Sequence, residues 1–134
     1  MAVTDLPILG MLRTKMQWHQ ARQKLIAENV ANADMPGFRP RDLAGLDFDR
    51  TTGEARSGGV GLARTSEAHI VPAGAEGAGT DPRRVKGFEI RPSGNGVNLE
   101  EEMMKAGDNQ SDYQLAASLY QKSLDALKIA VGKR

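Results

Sequence analysis

A run of alternating steps of four and three residues, from Leu99 to Val131, constrains the fold of this chain more than any other feature. This alternation puts one line of side chains along an α-helix and is the seam pattern of a coiled coil. The sequence therefore predicts one long C-terminal helix with a partner helix against this seam. The seam consists of Leu99, Met103, Ala106, Gln110, Tyr113, Ala117, Tyr120, Leu124, Leu127 and Val131.

The ends of this predicted helix are also marked. Asn98 is a favoured N-cap residue, and Glu101 follows at the third helical position, as in a capping box. Glutamates 100–102 stand where the helix dipole favours anions. Gly107 is the weakest point inside the helix, at about 1 kcal/mol relative to Ala.

A second apolar stripe runs along the opposite side of the same helix. It consists of Leu115, Leu119, Ala126 and Ile129, at steps of four, seven and three residues. A helix that is apolar on two sides needs cover on both. The sequence therefore predicts one partner inside the chain and another outside it.

The first third predicts a second helix, from about Leu6 to Ala33. Its seam, interrupted by polar His19 and Gln23, consists of Leu9, Leu12, Met16, His19, Gln23, Ile26 and Val30. A polar seam residue more often sets the register of a helix pair than does chemistry. A separate line, Met11, Trp18 and Leu25, lies about 100° or more around the helix from the seam.

The predicted fold is mainly α, with the two long helices paired as a coiled coil and a Gly-rich middle that has room for short β-strands. The expected segments are an N-terminal helix in 1–35, a turn and extended piece in 36–50, the middle region in 51–97, and the C-terminal helix in 98–134. Within the pair, we expect the intramolecular seam to use Leu12, Met16, Ile26, Tyr113, Tyr120, Leu124 and Leu127. Contacts between subunits are expected at Trp18, Leu115, Leu119 and Ile129.

The middle region shows little periodicity, and only 69–71 and 87–90 resemble short strands. On composition alone, a flexible insertion between two helices is the default interpretation. We expect it to become ordered on assembly. The competing interpretation is a compact monomer whose middle region folds over both exposed stripes.

The composition argues against catalysis and against several classes of ligand. The chain has no cysteine, which excludes thiolate chemistry. Its net charge of +1 gives no electrostatic reason to expect binding to nucleic acid or to an anionic membrane. His19 and His69 show no metal-ligand spacing. The segment 57–61, SGGVG, lacks the Lys-Ser/Thr of a phosphate-binding loop. We therefore expect no catalytic residue, no cofactor and no metal. No run reaches the length of a membrane span, and no cleaved signal peptide is apparent, which by itself favours the cytoplasm.

The segment 28–43, ENVANADMPGFRPRDL, predicts an abrupt end to the first helix. Pro36-Gly37 fits the central positions of a type II turn, with Gly supplying a positive φ. The polar residues Asn29, Asn32 and Asp34 are interpreted as terminating the helix, because such side chains bond to nearby backbone groups. Phe38 is expected to anchor the chain after the turn.

This segment resembles the signature of flagellar rod, hook and other axial proteins, N-[IV]-[AS]-N-[AS]-x-T-P-G-[FY]. The matching residues are Asn29, Val30, Ala31, Asn32, Ala33, Pro36, Gly37 and Phe38; Met35 stands where the family commonly has Thr. The C-terminal stretch from 95 to 131 is similar to the other end of proximal rod proteins. The RDL after the turn and the VNLEEEM before the last helix point to the FlgB family.

The resemblance implies a structural subunit of the proximal rod of the flagellar basal body, polymerising helically to transmit torque and enclose the export channel. Its implied partners are copies of itself, other rod proteins, the rod-base adaptor and export gate, and the flagellar export apparatus. Its implied location is the rod in the periplasmic space, reached without a cleaved signal. Two alternatives stay open at this point: a soluble helical-hairpin adaptor for one protein partner, and another axial component of the flagellum.

Overall fold

The computed structural model describes residues 6–48, 55–56, 82–84 and 91–132. Two long helices, α1 (Pro7–Ala31) and α2 (Leu99–Ala130), make up most of this part of the chain. They run antiparallel, because Arg13 near the start of α1 bonds to Tyr120 and Asn29 near its end bonds to Glu102. The predicted mainly α fold is confirmed.

Helix α1 begins and ends close to its predicted bounds. Pro7 occupies the first turn, where its missing N–H leaves no bond unmade. At the other end, both the backbone N–H and the Nδ2 of Asn32 donate to Glu28 O, at 3.1 and 2.7 Å. The side chain of Asn32 therefore caps a terminal carbonyl, as predicted.

Helix α2 has the predicted N-cap. The side chain of Asn98 accepts the N–H groups of Glu100 and Glu101 at 3.1 and 3.4 Å. Glu101 itself pairs through its carboxylate with Lys105, 2.8 Å away. The helix ends before Gly132, whose φ of 78° is the left-handed conformation common just beyond helix ends.

The turn between α1 and the following extended segment also forms as predicted. The N–H of Phe38 donates to Met35 O at 3.3 Å, and Gly37 has a φ of 72°. Any side chain at position 37 would be strained in this conformation. Phe38 itself is half-buried.

Two short antiparallel ribbons follow the turn. Strand β1 (Arg41–Leu43) pairs with β4 (Pro82–Arg84), with Asp42 opposite Arg83. Strand β2 (Asp47–Phe48) pairs with β3 (Ala55–Arg56). The short strands expected at 69–71 and 87–90 lie outside the described residues.

The seam predicted for the first half of α2 is wrong. Its buried residues are Glu102, Asn109 and Ala116, spaced by seven, whereas Leu99 and Met103 are 39% and 70% exposed. The buried face is therefore rotated by one residue position toward polar side chains. These side chains can be buried because each finds a hydrogen-bonding partner on α1.

The expectation that the Met11, Trp18 and Leu25 line stays exposed is also wrong. Trp18 and Leu25 are buried and Met11 is half-buried. The chain turns back after Gly37 and lies along this face of α1, so that Ala44 O meets the indole of Trp18. We call residues 41–48 the strap.

Candidate functional site

The turn after α1 is seated on the segment that leads into α2, and Asn95 is the centre of this contact. Its side chain is almost fully buried. Its Nδ2 donates to Asn32 O at 3.0 Å and to Met35 O at 2.7 Å, while its Oδ1 accepts the N–H of Val97 at 2.8 Å. One amide thus ties the end of α1, the turn and the start of the last third together.

Backbone bonds complete this docking. The N–H of Gly37 donates to Ser93 O at 3.1 Å, and the N–H of Gly96 donates to Phe38 O at 3.0 Å. A Cβ on Gly96 would come within 3.3 Å of Pro40 Cδ. The two segments approach so closely that the side chain at position 96 has to be small.

Asn29 fixes the path of the strap, which corrects its predicted role as a helix terminator. It lies inside α1 and is buried. Its Nδ2 donates to Arg41 O at 2.8 Å, its Oδ1 accepts the N–H of Arg41 at 3.0 Å, and Nδ2 also reaches Glu102 Oε2 at 3.0 Å. The amide copies the pairing of a neighbouring strand and joins α1, strap and α2 at one point.

Further along, the strap is held by an ion pair and by the indole. Arg22 donates from Nε and Nη2 to the two carboxylate oxygens of Asp42, each at 2.9 Å. Its guanidinium also lies over the Trp18 ring, 5.4 Å from the centroid, and Trp18 Nε1 donates to Ala44 O at 3.0 Å. A two-pronged pair of this kind fixes orientation as well as distance.

Arg22 and Asp42 each stabilise the charged form of the other. Burial opposes ionisation of Asp42, but the hydrogen bond and charge of Arg22, with the N–H of Leu43, outweigh it and lower the pKa of the carboxyl below its usual range. The hydrogen bonds that Arg22 donates to Asp42 raise the pKa of its guanidinium despite its burial. Both groups are therefore charged at neutral pH.

A second charged group is buried between the helices. Glu102 is 2% exposed, and its carboxylate accepts from Asn29 Nδ2 and from Lys105 Nζ at 3.1 Å. Burial lowers the pKa of Lys105, but the bonds to Glu101 and Glu102 outweigh it, so the pKa is raised. A buried carboxylate without such partners would be strongly destabilising.

The middle of the helix pair is held by a polar network around Asn109. Its Nδ2 donates to His19 O and to Gln23 Oε1, each at 2.9 Å. Its Oδ1 lies 2.7 Å from His19 Nδ1. Since an amide oxygen only accepts, His19 carries a proton on Nδ1. The Nε2 of His19 is buried without a partner among the described residues. His19 was predicted to set the register of the helix pair, and its hydrogen bonds to Asn109 form only when α1 and α2 are paired in this register.

The predicted seam residues lie at or near the helix pair with unequal burial. Ile26 is 3% exposed, and the other six are half-buried. Tyr113 and Tyr120 accept hydrogen bonds from Gln20 and Arg13 on the opposite helix, at 3.3 and 3.4 Å. The half-buried residues are Leu12, Met16, Tyr113, Tyr120, Leu124 and Leu127.

Of the four residues expected at contacts between subunits, three are exposed and one is not. Leu115, Leu119 and Ile129 are 55%, 44% and 75% exposed. Trp18, at 8%, is covered by the strap within its own subunit and has little surface left for a neighbour. The outer stripe of α2 therefore stands open, whereas the second line of α1 is already used.

Within the described residues, no group of three or more His, Asp or Glu side chains is arranged to hold a metal ion. None of the described helices is long and apolar enough to cross a membrane. The buried polar groups above bond to other parts of the chain, so they organise the hairpin and its strap. These features define a helical-hairpin interaction protein, with its polar groups turned inward and an apolar stripe turned outward.

Sequence comparison with known proteins identifies the family within this class. No protein-family model matches the chain. It is 34% identical over 120 residues to the flagellar basal body rod protein FlgB of Agrobacterium fabrum, covering 88% of this chain and 87% of that protein. It is 29% identical over 109 residues to FlgB of Salmonella typhimurium, covering 79% of each chain. With FlgB of Proteus mirabilis the identity is 34% over 96 residues, covering 69% and 70%. The chain belongs to the FlgB family of flagellar basal body rod proteins.

Sequence reasoning missed three buried polar residues of this site: Asn95, Glu102 and Asn109. Asn95 stands between two glycines, and that Gly-Asn-Gly pattern is a usable signal of a tight backbone approach. Glu102 and Asn109 are seven residues apart and fall beside the apolar seam rather than on it. Their burial depends on partners some 70 to 90 positions away, which no local pattern contains.

Proposed function

We propose that this chain is a structural subunit of the proximal rod of the bacterial flagellar basal body. It polymerises helically with copies of itself and with other rod proteins, transmits torque and encloses the export channel. The proposal is supported by the family to which the chain belongs, together with the exposed apolar stripe on α2. No catalytic step is needed for this role.

The exposed stripe on α2 is the observation that supports assembly with other subunits. Large apolar side chains along one helix face, left open in the isolated chain, mark a contact with another protein. Leu115, Leu119 and Ile129 are assigned to contacts between subunits, and the seven seam residues to the intramolecular pair. The docked turn and the strap give each subunit a fixed shape to present these contacts.

Further parts of the proposal concern partners and place. The rod-base adaptor and export gate are its partners at the base of the rod. The chain reaches the rod in the periplasmic space through the flagellar export apparatus, without a cleaved signal. Ordering of the middle region on assembly also belongs to this proposal.

The test is complementation of a strain that lacks this gene. The deletion strain is expected to lack a rod while keeping the membrane ring and the export gate, and the wild-type chain is expected to restore both the rod and swimming. Leu119→Asp is expected to abolish both while leaving helix content unchanged, since position 119 is exposed in the isolated chain. Gln114→Asp adds the same charge at an exposed site outside the stripe and is expected to swim.

Normal swimming with Leu119→Asp would sink the assigned role of the stripe. A deletion strain that still builds a complete rod would sink the function itself. In that case, a soluble cytoplasmic adaptor would be favoured by retention of the chain inside the cell.

A further inference from the structure

The asparagine at the centre of the docked turn stands directly before a glycine. Asn95-Gly96 is the only Asn-Gly pair in the sequence. In a polypeptide, the backbone nitrogen that follows an asparagine is able to attack the carbonyl carbon of that side chain, and a side chain on the attacking residue hinders the approach. Glycine has no Cβ and the widest choice of backbone angles, so it hinders this approach least. Asn95 is therefore the asparagine of this chain that is chemically most open to loss of its amide.

The folded structure keeps both reacting groups of this pair occupied. The N–H of Gly96 donates to Phe38 O at 3.0 Å. Three hydrogen bonds of 2.7 to 3.0 Å hold the carboxamide of Asn95. Attack would require Gly96 N to leave Phe38 O, the carboxamide to rotate away from its partners, and water to reach a residue that is 1% exposed. The reaction is thus confined to molecules in which the docked turn has opened.

The product of the reaction does not fit the position of Asn95. Replacing the amide by a carboxylate removes both hydrogens that Nδ2 donates. A carboxylate oxygen would then face the carbonyl oxygens of Asn32 and Met35 at 3.0 and 2.7 Å. A charge buried against acceptors is strongly destabilising. A modified chain therefore cannot dock its turn as the unmodified chain does.

We propose that Asn95 is a deamidation site that is closed while the turn is docked and open in the unfolded chain. The nitrogen of Gly96 gives its proton to the solvent and forms a bond to Cγ of Asn95. The bond from Cγ to Nδ2 breaks, and the amide takes up a proton and leaves as ammonia. Water then opens the cyclic imide at one of its two carbonyls, which yields aspartate or isoaspartate. No electron is transferred, and water is the only co-reactant.

The modification records the time that a chain has spent unfolded. A chain that folds promptly keeps the amide and docks its turn. A chain that stays unfolded loses the amide, and with it the two donors that hold the turn. Chemical modification of an unfolded chain in competition with refolding is a general cause of irreversible inactivation. The site acts on any pool of unfolded chain and does not depend on the role of the subunit in the rod.

The first experiment compares the rate of deamidation at Asn95 in the folded and the unfolded chain. The full chain is incubated in mildly alkaline buffer, with and without enough guanidinium chloride to unfold it, and digests are followed by mass spectrometry. Deamidation is expected to be at least tenfold faster in the unfolded chain, and a factor of ten corresponds to an opening free energy of about 1.4 kcal/mol. Asn98, which precedes Leu99, is the internal control and should react more slowly in the same unfolded sample. Equal rates at Asn95 in the two samples would overturn the proposal.

Two variants separate the chemistry from the fold. In the denaturant, Gly96→Ala is expected to slow deamidation at Asn95 severalfold, because the added Cβ hinders the attacking nitrogen and folding plays no part in that comparison. In buffer alone, Gly37→Ala is expected to speed it with helix content retained, because the φ of 72° at position 37 strains a side chain and opens the docked turn. An unchanged rate for Gly96→Ala would exclude attack by that nitrogen. An unchanged rate for Gly37→Ala, despite a lower melting temperature, would exclude control by docking.

The last measurement asks whether the modified chain still docks. Wild-type chain is held in the denaturant until about half is deamidated at Asn95, and is then refolded. Ion exchange separates the modified chain, which has gained a negative charge, from unmodified chain with the same history. The modified chain is expected to melt at a lower temperature than this matched control, close to that of freshly prepared Asn95→Asp. Equal melting temperatures for the two fractions would overturn the proposed consequence for folding.

Discussion

At the scale of single residues, buried asparagine side chains join segments that are distant in the sequence. Asn29, Asn95 and Asn109 are each buried. Asn29 and Asn109 each make three hydrogen bonds to parts of the chain outside their own helix. Asn95 makes two to the end of α1 and the turn, and a third to the nearby N–H of Val97. An amide both donates and accepts, so one side chain can satisfy backbone groups of opposite kind. This explains how a chain with only 4% aromatic residues holds its turn and its strap in place.

Asn95→Ala is expected to loosen the docked turn. It removes the two hydrogen bonds to the carbonyls of Asn32 and Met35 and leaves the buried N–H of Val97 without its acceptor, which together cost about 1–3 kcal/mol of the free energy of unfolding. Thermal unfolding followed by circular dichroism measures this loss. Asn95→Asp keeps the acceptor for the N–H of Val97 but removes both donors, so it should lose most of the same stability. An unchanged melting temperature in both variants would contradict the central place of this amide.

The pair of Asp42 and Arg22 gives a defined dependence on pH. The pKa of Asp42 is lower in the folded chain, so its stabilising effect is fully present above the ordinary carboxyl value of about 3.9. It is lost as the pH falls below that value through the lower, folded pKa. The emission of Trp18, the single tryptophan, reports release of the strap that covers it. Asp42→Asn should show a red-shifted emission already at pH 7 and a flatter acid transition; an acid transition identical to wild type would exclude Asp42 as its source.

At the scale of elements, helix bounds and caps follow from local sequence, whereas the helix faces do not. Pro7 suits the first turn of α1 because it lacks an N–H, and Asn32 and Asn98 mark helix ends through bonds to residues at most four positions away. The turn at Pro36-Gly37 is local in the same sense. The buried face of α2 depends instead on Asn29 and His19 in the other helix, so periodicity alone predicted a neighbouring face. Trp18 was assigned to the outside because its cover, the strap, comes from beyond the turn.

Gly107 offers a test of helix propensity within α2. Nothing lies within 4 Å of a Cβ built at this position, and the residue is exposed. Gly107→Ala is therefore expected to stabilise the chain by about 1 kcal/mol, measured as a higher melting temperature. Gly37→Ala is the matched contrast, because the φ of 72° there strains any side chain. A lower melting temperature for Gly107→Ala would contradict the placement of position 107 on an exposed helix surface with room for a Cβ.

At the scale of the whole molecule, the polar groups at the centre of the hairpin have opposite effects on two properties. They fix a single register of the helix pair, and they lower its stability. The His19 and Asn109 network sits where apolar side chains would bury more surface. A polar residue at such a position fixes the register of a helix pair and lowers its stability. One register matters here because rotating α2 would move its exposed stripe relative to α1 and the strap.

Replacing both residues by leucine should therefore raise stability and damage function. The double variant His19→Leu with Asn109→Leu exchanges a buried polar pair for apolar side chains, a change that is often neutral or stabilising. Its melting temperature is expected to equal or exceed that of wild type, while swimming of the complemented deletion strain falls. The single variant Asn109→Leu is the control, because it leaves His19 Nδ1 without its acceptor and should destabilise the chain. A double variant that is stable and swims normally would show that the apolar contacts alone set the register, and that the polar network is dispensable to the assembled rod.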